Sequence, residues 1–581
     1  MAVDLAPLYN ALGRDSAVSQ YKYLRPIAVA LGFAVALLFL YTLHTGSDQL
    51  VFNISRGGND ASELQMCKAW FEEEDQANAH LLIGRDFDEE PVNIYEVGLP
   101  EWFVAPKEDL DRCDIKCRPI PYHVPEAASI TQWDASTDEW PKSPQDIDHS
   151  HGFAVIRNVE PPIDYPGLAI DAAHRAGYDI VMTSELASDV PIPYVGAYVT
   201  NYFAPGLPFE EKQKAAMAVI SNCGAKSFRL KAVKKMQELG IQVDSYGWCE
   251  RNKEFPEPDN QERNEAGQWD RYRQKIAVAR TYLFYLAFEN SHWPDYVTEK
   301  FYHVLQAGSV PIVIGAPNIF EFAPAPNSFL ELRTIEDVPR LVERMKYLME
   351  NRSAYEEMLE WRRHEASDNF KAMNDVRGVH ATCRLCIHIA TKLQALTDNK
   401  TRALVAASTH DPGDGSLTDP NPGDGSVTAP GINTRDKISE GRLSTRVPVY
   451  PCTCRPAAIG APSRFPFLAS LAGASREVHR VYVRESGRFR YRPVLLDGRD
   501  LSVWALHAAV LQAFQKEDYE PSWVERRKEV GLYWTTWKVH RIYPSGMTLR
   551  ESMGNGSFVA DSQFQEYLRE HPCPKLEVVL V

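Results

Sequence analysis

The run YLFYLAFE, Tyr282 to Glu289, constrains the fold more than any other segment. It is apolar on successive residues and not merely on alternate ones, so it reads as a strand covered on both faces. A helical stretch follows over Val297–Gln306, and SVPIVIG, Ser309 to Gly315, reads as the next parallel strand. Upstream the same order recurs: MAVISNC (Met217–Cys223), the helical run Ser227–Leu239, then IQVDSY (Ile241–Tyr246). Repeated strand, helix, strand units predict an α/β domain with a parallel sheet. Helical stretches at Ile335–Met349 and Ala354–His364 close this domain, assigned to residues 216–395. Before it, FAVIRNV (Phe153–Val159) and GYDIVMT (Gly177–Thr183) lie among proline-rich turns and read as strands of a first α/β domain, residues 81–215.

At 581 residues the chain has room for two or three cores. Its net charge of -15, without a basic block, argues against a nucleic-acid partner, so any phosphate site must be local. Ile27–Leu43 is apolar enough to cross a bilayer. Arg14, Lys22 and Arg25 precede this run and Asp48 follows it, which predicts a cytoplasmic tail (1–25), an uncleaved transmembrane signal-anchor (26–45) and a lumenal remainder. Residues 46–80 then read as a stem acting as a spacer. Sequons at Asn53, Asn399 and Asn555 are glycosylation candidates, whereas that at Asn351 falls between two predicted helices.

Ten cysteines in an oxidising lumen predict disulfides. Cys113 and Cys117 precede the first domain's main strands and Cys383 and Cys386 follow the second domain, so two bridges between these pairs would staple the chain's ends. Cys223 with Cys249 would make a third. A zinc site of four thiolates is the rival reading. DPGDGSLTDP (Asp411–Pro420) is nearly repeated as NPGDGSVTAP (Asn421–Pro430), which marks residues 396–445 as a flexible linker. Residues 446–581 regain alternation and aromatics and read as a small α+β appendage without a catalytic constellation.

The segment richest in chemistry is FENSHWPDYVTEKFYHVLQAGSVPIVIGAP, Phe288 to Pro317. Polar residues after a buried strand and at a helix start lie where α/β folds place ligands. Lys300 sits in that helix's first turn, where a cation opposes the helix dipole unless an anion is near; a diphosphate is the natural guess. Taken alone, Lys300 is equally a surface lysine in a solvated turn.

This segment closely resembles the signature of the α1,3-fucosyltransferase family: FENS, a short spacer, YVTEK, then AGxVPVVxG. The resemblance runs from about residue 150 to 390 and includes SNCGAKSFRL (Ser221–Leu230), VDSYGWC (Val243–Cys249) and CRLC (Cys383–Cys386). Within the family the chain looks most like the plant core α1,3-fucosyltransferases of N-glycan processing, through APNIFEFAPAPNSFL (Ala316–Leu330), VYVRESGRF, HRIYPSGMT and the terminal PCPKLEVVLV.

The resemblance implies a glycosyltransferase B-type fold of two Rossmann-like domains, with the donor GDP-fucose on the second and a glycoprotein acceptor approached by the first. Lys300 and Arg229 match cations on the donor diphosphate, and Asn290, Tyr296 and Glu299 match residues that hold the nucleotide sugar. Glu160, just after the Phe153–Val159 strand, occupies the place of the family's catalytic base, although Pro161 stands where the family has serine. The implied reaction is an inverting displacement in which Glu160 takes the acceptor proton while Arg229 and Lys300 stabilise departing GDP. The acceptor atom would be O3 of the asparagine-linked N-acetylglucosamine of an N-glycan, and the setting a Golgi membrane. No tightly bound cofactor is expected. Asp86-Phe87-Asp88 and Asp146-Ile147-Asp148 read as acidic loops and not metal sites, so manganese or magnesium would at most stimulate. The alternatives are an outer-chain, Lewis-type α1,3/4-fucosyltransferase and a non-catalytic Golgi carbohydrate-binding protein.

Overall fold

A computed structural model describes residues 58–78, 84–99, 103–121, 124–195, 199, 201–257, 270–408, 451–456, 477–515, 519–532 and 537–581. The expected anchor, the sequon at Asn53 and the repeat-bearing part of the linker lie outside them. So does the side chain of Asn399, whose backbone falls in the helix Ala381–Ser408. No helix among the described residues is long and apolar enough to cross a membrane. Two compact units meet in sequence at Gln65 and Met66. Of the first, only the start of the helix Gly58–Asn78 is described; everything below belongs to the second.

Two five-stranded sheets are parallel throughout. The first joins β1 (Val92–Val97), β2 (Cys117–Pro121), β3 (Ala135–Asp138), β4 (Phe153–Arg157) and β5 (Ile180–Met182) in the order β2-β1-β3-β4-β5. The second joins β6 (Gln213–Ala218), β7 (Val243–Ser245), β8 (Tyr282–Phe288), β9 (Val310–Ile314) and β10 (Leu330–Glu331) in the order β10-β9-β8-β6-β7. All of β8 is buried, and its side chains alternate between two cores: Phe284, Leu286 and Phe288 enter one, Tyr285 and Ala287 the other. Each leucine or phenylalanine of the run contributes about 1.5–3 kcal/mol on burial, which is why the run has no charged position until Glu289. The predicted α/β class and parallel pairing are therefore present. The strands are shorter than read from sequence: β6 stops at Ala218, leaving Val219–Cys223 in the loop that follows.

Two segments join the fold differently from expectation. The helix Ala381–Ser408, assigned in part to the second domain, packs Leu385, Ile387, Ile389 and Ala390 against Val92, Ile94 and Val155 of the first sheet. Its apolar stripe is legible in the sequence, but a stripe does not say which core it enters. The stem is not only a spacer either. In the helix Gly58–Asn78, Cys67 is bonded to Cys454, Phe71 is buried beside Val478, and Asp75 accepts from Arg480 at 2.8 Å. A chain beginning at Ser62 is thus expected to keep full activity, whereas one beginning at Gly84 loses a disulfide typically worth about 2–5 kcal/mol and should melt measurably lower in differential scanning calorimetry.

The third sheet is mixed: β11 (Thr453–Cys454), β12 (Val478–Glu485), β13 (Arg492–Asp497), β14 (Val539–Pro544) and β15 (Lys575–Leu580), with β12 parallel to β15 and β13 paired antiparallel to β12. One face sends Val481, Val483, Ile542, Leu576 and Val578 into a core closed by the helices Val503–Phe514 and Asp561–Glu570. The residues between them on the same strands, Arg484, Arg541, Tyr543 and Glu577, are polar.

All ten cysteines are paired. Cys113–Cys383 and Cys117–Cys386 staple the first sheet to the helix Ala381–Ser408, and Cys223–Cys249 spans the β6 to β7 unit. Cys67–Cys454 and Cys452–Cys573 complete the set. The thiolate-zinc alternative is thereby set aside. Asn351 caps the helix Arg352–Glu357 by accepting from Ala354 N at 3.0 Å, and its amide donates to Tyr347, while Asn555 is exposed.

Candidate active site

β8 ends at Phe288, and Glu289 follows it as a buried carboxylate at the sheet's carboxyl edge. Gly315, just after β9, makes room for it: a Cβ there would stand 2.7 Å from Glu289 Cγ. One carboxylate oxygen accepts from Thr298 N and Oγ1 at 2.8 Å each, and the other accepts from Lys300 Nζ at 3.1 Å. Thr298 is the cap of the helix Glu299–Ala307, so the same side chain starts the helix and orients Glu289. Gly308, at φ 70, ends the helix in the left-handed conformation that favours glycine.

Lys300 also donates to Thr298 Oγ1 at 2.9 Å and lies 3.6 Å from Glu299. Burial opposes its charge, but Glu289 and Glu299 outweigh that and raise its pKa. The anions that the helix dipole argument called for are therefore, in the first place, the chain's own carboxylates. Burial would likewise push Glu299 up, yet Lys300, Lys275 and His303 hold it down at about 2. Lys275, buried in the helix Arg271–Arg280 and held by burial at about 8, was not anticipated. The clue was available: it lies one helical turn before the buried Val278 and Ala279.

Arg229 opens the helix Arg229–Glu238 and is 2% exposed. Its guanidinium donates to the carbonyls of Phe288 at 3.1 Å and Asn222 at 2.6 Å, tying the end of β8 to the loop after β6, with Nε unpartnered. Asn290 is half-buried, and its carbonyl accepts from Ser227 N at 2.9 Å. Arg229, Asn290, Glu299 and Lys300 thus gather around the end of β8.

Tyr296 joins this cluster to the first sheet. Its hydroxyl donates to Glu160 Oε2 at 3.2 Å, and Glu160 stands in the loop just after β4. The loop is further tied by Ser291 Oγ donating to Asp164 at 2.5 Å and by the Lys226–Asp164 pair at 3.3 Å. Asp164 and Ser291 also escaped the sequence reading, since an aspartate in a proline-rich loop carries no local signal. The two sheets therefore face each other across their carboxyl edges, with Glu160 between them and its Oε1 without a hydrogen-bond partner among the described residues.

Burial raises the Glu160 pKa, Tyr296 and Lys300 draw it down, and Asp164 and Glu289 add to the rise. If Glu160 is the base that the family resemblance implies, it works deprotonated, so kcat/KM should fall as pH drops through a midpoint above the ordinary glutamate value near 4.5. Removing the Lys300 charge takes away a lowering influence and should move that acid limb further up, which a pH–rate profile of Lys300→Met would read.

The appendage reaches this region. Arg550, in the helix Leu549–Met553, pairs with Asp295 and donates to Glu321 at 2.7 Å. Asp295 is 3% exposed, has φ 65, and immediately precedes Tyr296. Breaking a buried pair from one side costs roughly 3–5 kcal/mol, less here because Arg550 is partly exposed. Arg550→Ala should accordingly lower the melting temperature and reduce turnover, with Arg550→Lys recovering part of both.

Neither DxD stretch gathers donors toward this site: Asp88 pairs with Arg490, and Asp148 accepts from Ser150 and His151.

The family model described as glycosyltransferase family 10 (fucosyltransferase), C-terminal part, matches residues 209–403. An Arabidopsis thaliana fucosyltransferase-like protein is 33% identical over 516 residues, which cover 89% of this chain and 80% of that protein. GDP-fucose protein O-fucosyltransferase 3 of Danio rerio is 33% identical over 27% of this chain and 33% of its own length. The mouse 4-galactosyl-N-acetylglucosaminide 3-alpha-L-fucosyltransferase 9 is 29% identical over 32% of this chain and 47% of its own. A crystal structure of an alpha1,3-fucosyltransferase with GDP-fucose aligns with 52% of this chain and 90% of its own at 14% identity, with a TM-score of 0.33, too low to carry an inference. With the Arabidopsis relative matched along most of its length and the family model covering the β8 to β9 cluster, the chain is an enzyme of glycosyltransferase family 10, the fucosyltransferases.

Proposed function

We propose that the chain transfers L-fucose from GDP-fucose, with inversion, to O3 of the asparagine-linked N-acetylglucosamine of N-glycans. The observation that carries this reading is the Tyr296–Glu160 contact at 3.2 Å, which sets a carboxylate of the first sheet against the donor segment of the second. Glu160 receives the acceptor proton on Oε1, while Tyr296 fixes its other oxygen. Lys300 has three ammonium hydrogens, two of them given to Glu289 and Thr298, and turns the third to the diphosphate. Arg229, Asn290 and Glu299 shape the donor pocket around it. The charge growing on departing GDP is what these cations stabilise. The enzyme is anchored in the Golgi membrane through residues 26–45 with its catalytic region lumenal. The VYVRESGRF, HRIYPSGMT and PCPKLEVVLV segments of the appendage support the core acceptor, because a shared donor motif alone would not extend to them.

A second reading comes from the relatives named GDP-fucose protein O-fucosyltransferase 3, in which the acceptor hydroxyl belongs to a polypeptide. Their likeness spans 27% of this chain in the Danio rerio case, so it bears on a minority of the chain. Mass spectrometry of defined N-glycans and unglycosylated peptides incubated with GDP-fucose separates the readings. Fucose on the innermost N-acetylglucosamine is expected; fucose confined to antennae or to serine and threonine would replace the core assignment.

A further inference from the structure

A cavity of about 1040 Å³ lies away from the Glu160–Tyr296 contact, between the helix Ala381–Ser408 and the polar face of the third sheet. Its walls include parts of VYVRESGRF, HRIYPSGMT and PCPKLEVVLV, so three segments that stood out in the sequence and that the transfer chemistry does not use converge on one space. The volume is that of a site for an organic molecule of several rings or sugar units.

The lining is cationic in a chain of net charge -15. Eight lysine and arginine side chains face six aspartates and glutamates. Most of the cations are spoken for: Arg484 holds Glu577, Arg488 and Arg490 hold Asp114, and Lys575 holds Asp398. Arg541 is not. It is 9% exposed, lines the cavity, and has neither Nε nor Nη1 in a hydrogen bond. Burial lowers its pKa with only Tyr543 to offset the loss. The Lys392 side chain, on the facing helix, likewise has no ion pair or hydrogen bond among the described residues. Trp523 Nε1 and His388 Nε2 are further buried donors or acceptors in this lining without partners among the described residues.

An unpaired buried guanidinium is costly, and a fold normally answers it with a carboxylate or replaces it. Here the buried and half-buried carboxylates of the same wall are committed elsewhere, Asp375 to Arg527, Glu485 to Arg488, Glu577 to Arg484 and Asp398 to Lys575, with Asp189 beside His174, and Glu570 is exposed to solvent. We infer that this cavity is a second ligand site, in which Arg541 and Lys392 receive the oxyanion of an anionic ligand, a phosphate, sulfate or carboxylate group. That chemistry reaches it either as a free anion or as an anionic group carried on a sugar, and the two arms below tell them apart.

The test uses the folded enzyme saturated with GDP, so that the donor site is blocked, and titrates inorganic phosphate in one arm and a hexose 6-phosphate in the other by calorimetry and thermal shift. Saturable binding is expected in at least one arm, stronger for the sugar phosphate if the anion arrives on a sugar. Arg541→Met and Lys392→Gln should each weaken it by about tenfold or more, the scale of a charge-assisted hydrogen bond, and leave GDP affinity unchanged. Without anion, Arg541→Met should melt above the wild type, because it removes an unpaired buried charge. A merely structural arginine would do the reverse. Absence of saturable binding in both arms at about 10 mM, or binding that both variants keep, would overturn the assignment and leave a water-filled space between the sheet and the helix.

Discussion

Lys300→Ala is expected to lower kcat by on the order of a hundredfold or more, because in the proposed role it removes a cation from the oxygen that gains charge as GDP departs. The same substitution also strips Glu289 of its partner, and Glu289 is 2% exposed, so stability should fall as well. Loss of activity alone would therefore not identify a catalytic lysine. The discriminating variant is Lys300→Met with Glu289→Gln, which removes both charges of the pair and keeps a hydrogen-bonding group beside Thr298. If Lys300 acts on the diphosphate, the double variant recovers melting temperature and remains slow. Recovery of turnover together with stability would make Lys300 a structural partner of Glu289 and nothing more.

That ambiguity shows where the sequence is silent. β8 and β9 were legible because a strand buried on both faces must be apolar at every position, and no other demand competes there. The polar cluster beyond them was legible only in part. Glu289 reads as the polar end of a strand, and what makes it a centre is the turn from Asn290 to Val297, which returns Thr298 and Lys300 to its two oxygens. Lys275 reaches the same cluster from another helix and Asp164 from the other sheet, by contacts that no spacing encodes. Arg550 reaches this region from 255 residues beyond the Asp295 it pairs with. Cysteines were more generous. Six were placed in sequence, and parity alone left Cys67, Cys452, Cys454 and Cys573 to supply two further bridges, one of which draws the supposed stem onto the third sheet.

Glu160→Gln should cost turnover about a hundred to ten thousandfold while GDP binding stays close to the wild-type value. The argument rests on which oxygen does what. Oε2 accepts from the Tyr296 hydroxyl, so glutamine can keep that bond by presenting its amide oxygen there. Its NH2 group then occupies the place of Oε1, where it donates and cannot take a proton from an acceptor hydroxyl. Shape and the link between the two sheets survive, and only basicity is lost. The acid limb of the pH–rate profile should vanish with it, since the group that titrated is gone, and this separates a lost base from a displaced Tyr296. Tyr296→Phe serves as the converse: it frees Oε2, removes the hydrogen bond that draws the Glu160 pKa down, and should shift the acid limb upward while retaining much of the rate. Normal turnover by Glu160→Gln, or an unchanged acid limb, would move the base elsewhere, with Asp164 on the same loop the next carboxylate to test.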